Sequence, residues 1–144
     1  MKKIKNNIGI LGGTFDPPHF GHLKISKISI NKLKLDKLLW VITKKNPFKE
    51  KPLFILKKRI QKCKKLTKKI KKIEVKFYDQ ILRSSYTYDL IKYLKKKNKN
   101  SNLFFIIGSD NLVNLHKWKG YKYIINTTKV VVFSRKDFVF NNVK

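Results

Sequence analysis

One stretch constrains this chain more than any other: Gly12 to Leu23, GGTFDPPHFGHL. The apolar run before it, Ile8-Gly9-Ile10-Leu11, reads as a short buried strand. The segment after it, Leu23 to Leu35, has apolar residues at helical spacing. The stretch is therefore a strand-to-helix connection. Gly12 and Gly13 remove two Cβ atoms where the chain leaves the strand, so backbone N–H groups can approach a ligand closely. Pro17 and Pro18 stiffen the loop, and Pro18 keeps its predecessor out of the helical region. His19 and His22 are three apart, and share one face if the helix starts there. Anions are favoured beside the N–H groups of a helix start. Free amides, two imidazoles and no carboxylate but Asp16 suit a polyphosphate. The plain alternative is a Gly-rich turn with two surface histidines. A zinc pair is the other, but no second cluster completes a tetrahedral site, and Cys63 stands alone on a lysine-rich segment.

Length points to one domain, 1–144, with enough chain for a real core. Hydrophobic residues make up 42%, too many for a disordered chain. No apolar run approaches the roughly 18 residues of a membrane span. The basic start, MKKIKNNIGILGG, fails as a signal peptide because its apolar run is short and breaks into the glycine loop. A single cysteine excludes an internal disulfide and fits a reducing compartment, so the cytoplasm is expected. The net charge of +28 raises the question of nucleic acid. All but three of the 36 basic residues are lysine, spread over every segment, and the chain has no alanine. That is the pattern of an AT-rich genome rather than of a dedicated basic face. Base readout leans on Arg, Asn and Gln, so the composition points to non-specific, salt-sensitive attraction for polyanions. Against the same bias, residues with GC-rich codons are suspects for function. Three of the six glycines and two of the four prolines lie in the one loop, and the arginines are Arg59, Arg83 and Arg135.

Along the chain, Lys37 to Ile42 reads as a second buried strand, followed by a basic loop with Lys44, Lys45, Pro47 and Lys49. Phe54 to Ile70 reads as a helix, and Ile73 to Phe77 as an edge strand. Ser84 or Ser85 is placed to cap a helix running to about Leu94. Leu103 to Ile107 is the most hydrophobic strand, with a short helix from Asn111 to Leu115 after it, and Val130 to Phe133 is a fifth strand. Strand–helix alternation with apolar strands predicts an α/β, Rossmann-like, doubly wound parallel sheet with right-handed crossovers. In the order 3-2-1-4-5, strands one and four are neighbours at the topological switch point, where ligands bind. Their carboxyl ends carry Gly12-Gly13-Thr14 and Gly108-Ser109-Asp110. Ser109 or Asp110 is a helix N-cap on the plain reading, and a carboxylate for ribose hydroxyls on the functional one. Trp40, on a buried strand, reads as core; Trp118 reads as core or as ligand platform; His116 reads as a surface residue.

GGTFDPPHFGHL resembles the HxGH signature of the nucleotidyltransferases, in the form seen in bacterial nicotinate-nucleotide adenylyltransferases. Phe105 to Trp118, FIIGSDNLVNLHKW, is similar to that family's FIIGxDxLxxxxxW segment, and Ser85-Tyr86-Thr87 to its S-Y-T element. The resemblance implies adenylyl transfer from ATP to nicotinate mononucleotide, giving nicotinate adenine dinucleotide and pyrophosphate. It implies His19 and His22 as catalytic residues. Gly12, Gly13, Thr14, Phe15, Gly21, Gly108 and Asp110 would hold ATP and its phosphates. Lys44, Ser85, Tyr86, Thr87 and Trp118 would hold the mononucleotide, with the Trp118 ring on the nicotinate. Mg²⁺ would enter with ATP, and no protein metal site is expected. A phosphopantetheine adenylyltransferase, or a non-catalytic nucleotide-binding module, would keep the same loop. The resemblance runs from Ile8 to about Arg135. The family's late I-S-S/A-T-x-I-R motif is not found before Lys144, which implies a C-terminally truncated domain with weak ATP binding. The fifth strand is then expected to lack a neighbour and leave an apolar edge.

Overall fold

A computed structural model describes residues 5–44 and 52–134, with the backbone of 140–143. Readings that fall on Lys45 to Lys49 lie outside the described residues. The strands are β1 (Asn7–Gly13), β2 (Lys37–Ile42), β3 (Ile73–Lys76), β4 (Asn102–Gly108), β5 (Lys129–Phe133) and β6 (Phe140–Val143). They form one sheet in the order β3-β2-β1-β4-β5-β6. The first five are parallel to their neighbours, in the expected 3-2-1-4-5 arrangement, and Ile10 of β1 lies between Leu39 of β2 and Phe105 of β4. β3 is an edge, as its alternating pattern suggests.

The apolar runs follow from burial on both faces of this sheet. Alternate residues of each strand point to opposite sides. Ile8, Ile10, Leu39, Val41, Phe105, Ile107, Val130 and Val132 pack with Leu90, Ile91 and Leu94 of α4 (Thr87–Lys97) and Ile124 of α6 (Tyr121–Thr127). Leu11, Leu38, Trp40, Ile42, Phe104, Ile106 and Val131 pack with Leu23 of α1 (Phe20–Lys32) and Cys63 of α2 (Leu56–Thr67). Trp40 is core, as expected, and its indole Nε1 donates to Ser26 Oγ at 2.8 Å. Ser26 and Ser29 of α1 are fully buried, and their small side chains let this helix close on β2. Burial also pushes the Cys63 thiol pKa up to about 12. The thiol therefore stays protonated near neutral pH, and the nucleophile is the thiolate. Iodoacetamide at pH 8 is expected to leave the folded chain unmodified and to alkylate Cys63 after denaturation, read by mass spectrometry.

Several elements depart from expectation. α1 starts at Phe20, three residues before the anticipated Leu23, because His19 caps it, and Leu33 follows Lys32 as the C-cap. Lys34, in the left-handed region, turns the chain away beyond it. β5 does not present an open edge: β6 pairs with it antiparallel, Phe133 opposite Phe140 and Val130 opposite Val143. α3 (Asp79–Leu82) is a single turn, and α6 is, Lys122 apart, built from Tyr, Ile, Asn and Thr, poor helix formers, so neither stands out in the sequence. α4 is preceded by Tyr86 with no side-chain cap, so neither Ser84 nor Ser85 is the cap. Likewise Gly108, rather than Ser109 or Asp110, precedes the first turn of α5 (Ser109–Leu112), and a 3₁₀ turn, Leu115–Lys117, leads to Trp118.

Candidate active site

The carboxyl ends of β1 and β4 open into a cavity of about 910 Å³. Gly12, Gly13, Thr14, Phe15, His19, Gly21 and His22 line it from the first loop and helix start. Gly108 and Asp110 line it from β4 and α5, and Ser85, Tyr86, Thr87 and Trp118 from the far loops. Two stretches some ninety residues apart in sequence thus meet at the switch point. Lys44 is not among the lining residues. His116 is exposed, as expected.

The two histidines form a reciprocal cap. His19 Nδ1 accepts from the Gly21 amide at 3.1 Å, and His22 Nδ1 accepts from the His19 amide at 3.1 Å. A ring nitrogen that accepts an N–H carries no proton of its own. Both imidazoles are therefore held in the tautomer whose Nε2 bears the hydrogen, and both Nε2–H groups are donors. The rings lie 4.0 Å apart, tilted by 32°. The usual capping residues are Ser, Thr, Asp and Asn, so a histidine pair in this role is set by the loop's chemistry, not by helix economy.

Gly21 is needed for this geometry. A Cβ there would sit 2.8 Å from His19 Nδ1 and Cε1. Gly21→Ala is expected to displace the His19 ring and lower turnover about as much as removing the imidazole, while circular dichroism stays that of the parent. The glycines of the strand end differ. A Cβ on Gly12 would meet only Val41 O at 3.9 Å, and one on Gly13 the Phe15 ring at 3.7 Å. The fold tolerates a side chain at either, so what their bareness keeps open is the cavity.

Phe15 turns its side chain inward from the phosphate loop. Its φ is 50°, its side chain is 3% exposed, and its ring stacks on Trp40 at 5.0 Å and tilts against His22 at 4.8 Å. Only its backbone can serve a phosphate; its ring is a wall behind His22. A non-glycine residue in this region is uncommon and carries a cost of about 1 kcal/mol or more.

On the far side, Ser85 Oγ donates to Asp79 Oδ2 at 2.7 Å, and the Lys44 amide donates to the same oxygen at 2.8 Å. Ser84 Oγ donates to Asp89 at 2.6 Å and accepts from the Tyr86 amide at 3.0 Å. With no side chain capping α4, its first-turn amides stand beside the cavity-lining Thr87. Trp118 is half-buried, its ring edge-on to Phe105 at 6.0 Å. Lys117 and Lys119 also line the cavity, and Lys119 Nζ sits over the rings of Tyr86 and Tyr88, 4.0 Å from Asp89. Burial raises the pKa of the cavity-lining Tyr78, with further push from Tyr93 and Glu74, so its hydroxyl stays neutral.

Sequence reasoning missed Arg59, Asp79, Lys117 and Lys119. Arg59 is 2% exposed and donates to the carbonyls of Phe54, Thr14, Thr43 and Lys44. Its signal was rarity, one of three arginines in a lysine-saturated chain. Among the described residues, no three His, Cys, Asp or Glu side chains are grouped to hold a metal ion, and no helix is long and apolar enough to cross a membrane.

Residues 10–144 match the family model described as cytidylyltransferase-like. The chain is 47% identical over its whole length to a Pelagibacter ubique protein named "Probable nicotinate-nucleotide adenylyltransferase", covering 79% of that protein. A protein of the same name from Clostridium tetani is 38% identical over 93% of this chain and 68% of its own length. Among solved structures, the Plasmodium falciparum nicotinic acid mononucleotide adenylyltransferase complexed with NaAD superposes with a TM-score of 0.76 at 25% identity. That match covers 94% of this chain and 68% of the other.

Proposed function

The chain belongs to the cytidylyltransferase-like family and, within it, to the group of nicotinate-nucleotide adenylyltransferases, and from that premise we propose that it transfers the AMP moiety of ATP to nicotinate mononucleotide. The observation that carries the reading is the histidine pair, whose two Nε2–H donors are fixed at the mouth of β1 by backbone amides. Residues 1–144 act in this reading as one nucleotidyltransferase domain.

The mononucleotide phosphate is already anionic, so no protein nucleophile is needed. One of its oxygens attacks the α-phosphorus in line, and the bond to the bridging oxygen of pyrophosphate breaks. Catalysis is then positioning and charge stabilisation. His19 and His22 donate from Nε2 to the α-phosphoryl and departing pyrophosphate oxygens. The bare strand end at Gly12 and Gly13, with the backbone of Thr14 and Phe15, admits the triphosphate. Asp110 accepts from ribose hydroxyls above Gly108. The first-turn amides of α4 from Thr87 on, beside Ser85 and Tyr86, meet the pyridine carboxylate, and Trp118 stacks on the ring. Lys44 contributes attraction from outside the cavity.

A divalent cation fits this site through the substrate. Asp16 accepts from the Leu53 and Phe54 amides, and Asp79 from Lys44 and Ser85, so two of the cavity's carboxylates are engaged by the chain itself. Mg²⁺, the ion we propose, would be held mainly by substrate and water, and would supply charge neutralisation there. The reaction belongs in the cytoplasm, where a single reduced cysteine fits. The lysine surface gives a non-specific attraction for polyanions that falls with salt. The test is pyrophosphate release from ATP by the purified chain, with nicotinate mononucleotide set against 4′-phosphopantetheine as acceptor. Release with the first alone supports the reading; release with neither overturns it.

A further inference from the structure

Among the described residues, Arg59 is a buried cation with four hydrogen bonds that the proposed reaction does not use. It lies on α2, whose residues do not line the cavity. Its Nε donates to Phe54 O at 3.1 Å, NH1 to Thr14 O at 2.9 Å and Thr43 O at 2.8 Å, and NH2 to Lys44 O at 2.9 Å. Four of the five guanidinium hydrogens are thus placed on carbonyls. No described acidic side chain pairs with it. A buried cation is costly unless its hydrogen bonds are made, and here backbone carbonyls alone make them. Those carbonyls belong to the segments that leave β1 and β2 and to the entry of α2. Asp16 answers from the other side, accepting from the Leu53 and Phe54 amides. The loop between Thr14 and Asp16 is therefore held at both ends against one helix start, just before His19.

We propose that Arg59 is a positioning residue: from outside the cavity, it sets the phosphate-binding loop and the exit of β2 in register with each other, so that the histidine donors meet the reacting phosphate. The inference rests on the proposed adenylyl transfer. A lysine cannot substitute, since an ammonium offers three donors from one point while the carbonyls surround a planar fork. This explains an arginine at 59 among so many lysines. Cys63, one turn further along the same helix and fully buried, lies near enough to feel the Arg59 charge yet makes none of these carbonyl hydrogen bonds, so it serves as the control for packing under α2.

The experiment uses the full chain with Arg59→Lys, Arg59→Ala and Cys63→Ala. Three quantities are read: thermal midpoint, pyrophosphate release with ATP and nicotinate mononucleotide, and the ring-nitrogen NMR signals of His19 and His22. Arg59→Lys is expected to fold, to lose turnover by about a hundredfold, the scale of a misplaced reacting geometry, and to shift both rings. Its KM for the mononucleotide should change far less. Methylguanidine should restore part of the turnover of Arg59→Ala where that variant folds. Cys63→Ala should lower the midpoint yet keep turnover and ring signals. Wild-type turnover with unmoved rings in Arg59→Lys overturns the proposal. So does an equal loss in Cys63→Ala, which would reduce Arg59 to stability alone. If the parent chain releases no pyrophosphate, the adenylyl-transfer reading fails separately, and the ring signals alone decide: unmoved rings overturn the positioning role.

Discussion

Replacing His22 with alanine is expected to lower turnover by about 10²–10³-fold, the cost of one lost donor at a developing charge. The same holds for His19. The loss should fall on kcat and on kcat/KM alike, because the donors act on charge that grows in the transition state. The stability effects should differ. His19 is the helix cap, and its removal exposes the Gly21 amide, at about 1 kcal/mol as for other caps. His22 also touches Phe15 and lies 5.8 Å from Trp40, so its removal opens a gap beside the core. The two substitutions share one reciprocal bond network, so their effects should not add. His19→Asn can still accept from Gly21 and should recover stability without recovering turnover. Steady-state kinetics with thermal melts on the three single variants and the double variant checks this. Turnover near that of the parent in both single variants would return the pair to a capping role only.

The sheet order and the meeting of the two loops were legible because of one physical fact. A strand covered on both faces must be apolar at every position, so β1, β2, β4 and β5 stand out in a chain saturated with lysine. Gly12-Gly13 and the histidine spacing then marked which strand end was functional. The fate of Phe15 was not legible. Whether a loop residue turns inward depends on a left-handed φ and on a slot between Trp40 and His22, and both are tertiary. Arg59 was hidden by its neighbours, since a basic residue on a lysine-rich amphipathic helix ordinarily faces water. Burial became possible only because four carbonyls converge from three separate segments. β6 escaped notice for a related reason: its pairing partner, β5, supplies the pattern that Phe140–Val143 lacks. The Ser84–Ser85 turn misled because its hydroxyls are spent on Asp89 and Asp79, which local spacing cannot reveal.

Trp118→Ala is expected to weaken nicotinate mononucleotide far more than ATP. Stacking of a flat ring on an aromatic side chain is worth about 1–3 kcal/mol, or roughly five- to 150-fold in affinity. The position supports a selective effect. Trp118 ends the 3₁₀ turn after α5 and lines the cavity, while its indole edge rests on Phe105 of β4. The ring therefore meets both the core, through Phe105, and the cavity it lines. Truncation removes both, so some loss of stability accompanies the loss of binding, and the two must be separated. Trp118→Phe separates them: a smaller ring keeps a face for stacking but gives up part of the Phe105 contact. Titrating ATP and the mononucleotide singly against both variants by calorimetry gives the answer. Selective loss in Trp118→Ala with partial recovery in Trp118→Phe makes the indole a ligand platform. Equal weakening of both ligands, tracking the fall in melting temperature, makes Trp118 a core residue, and the far end of the cavity would then rely on the α4 amides for the pyridine.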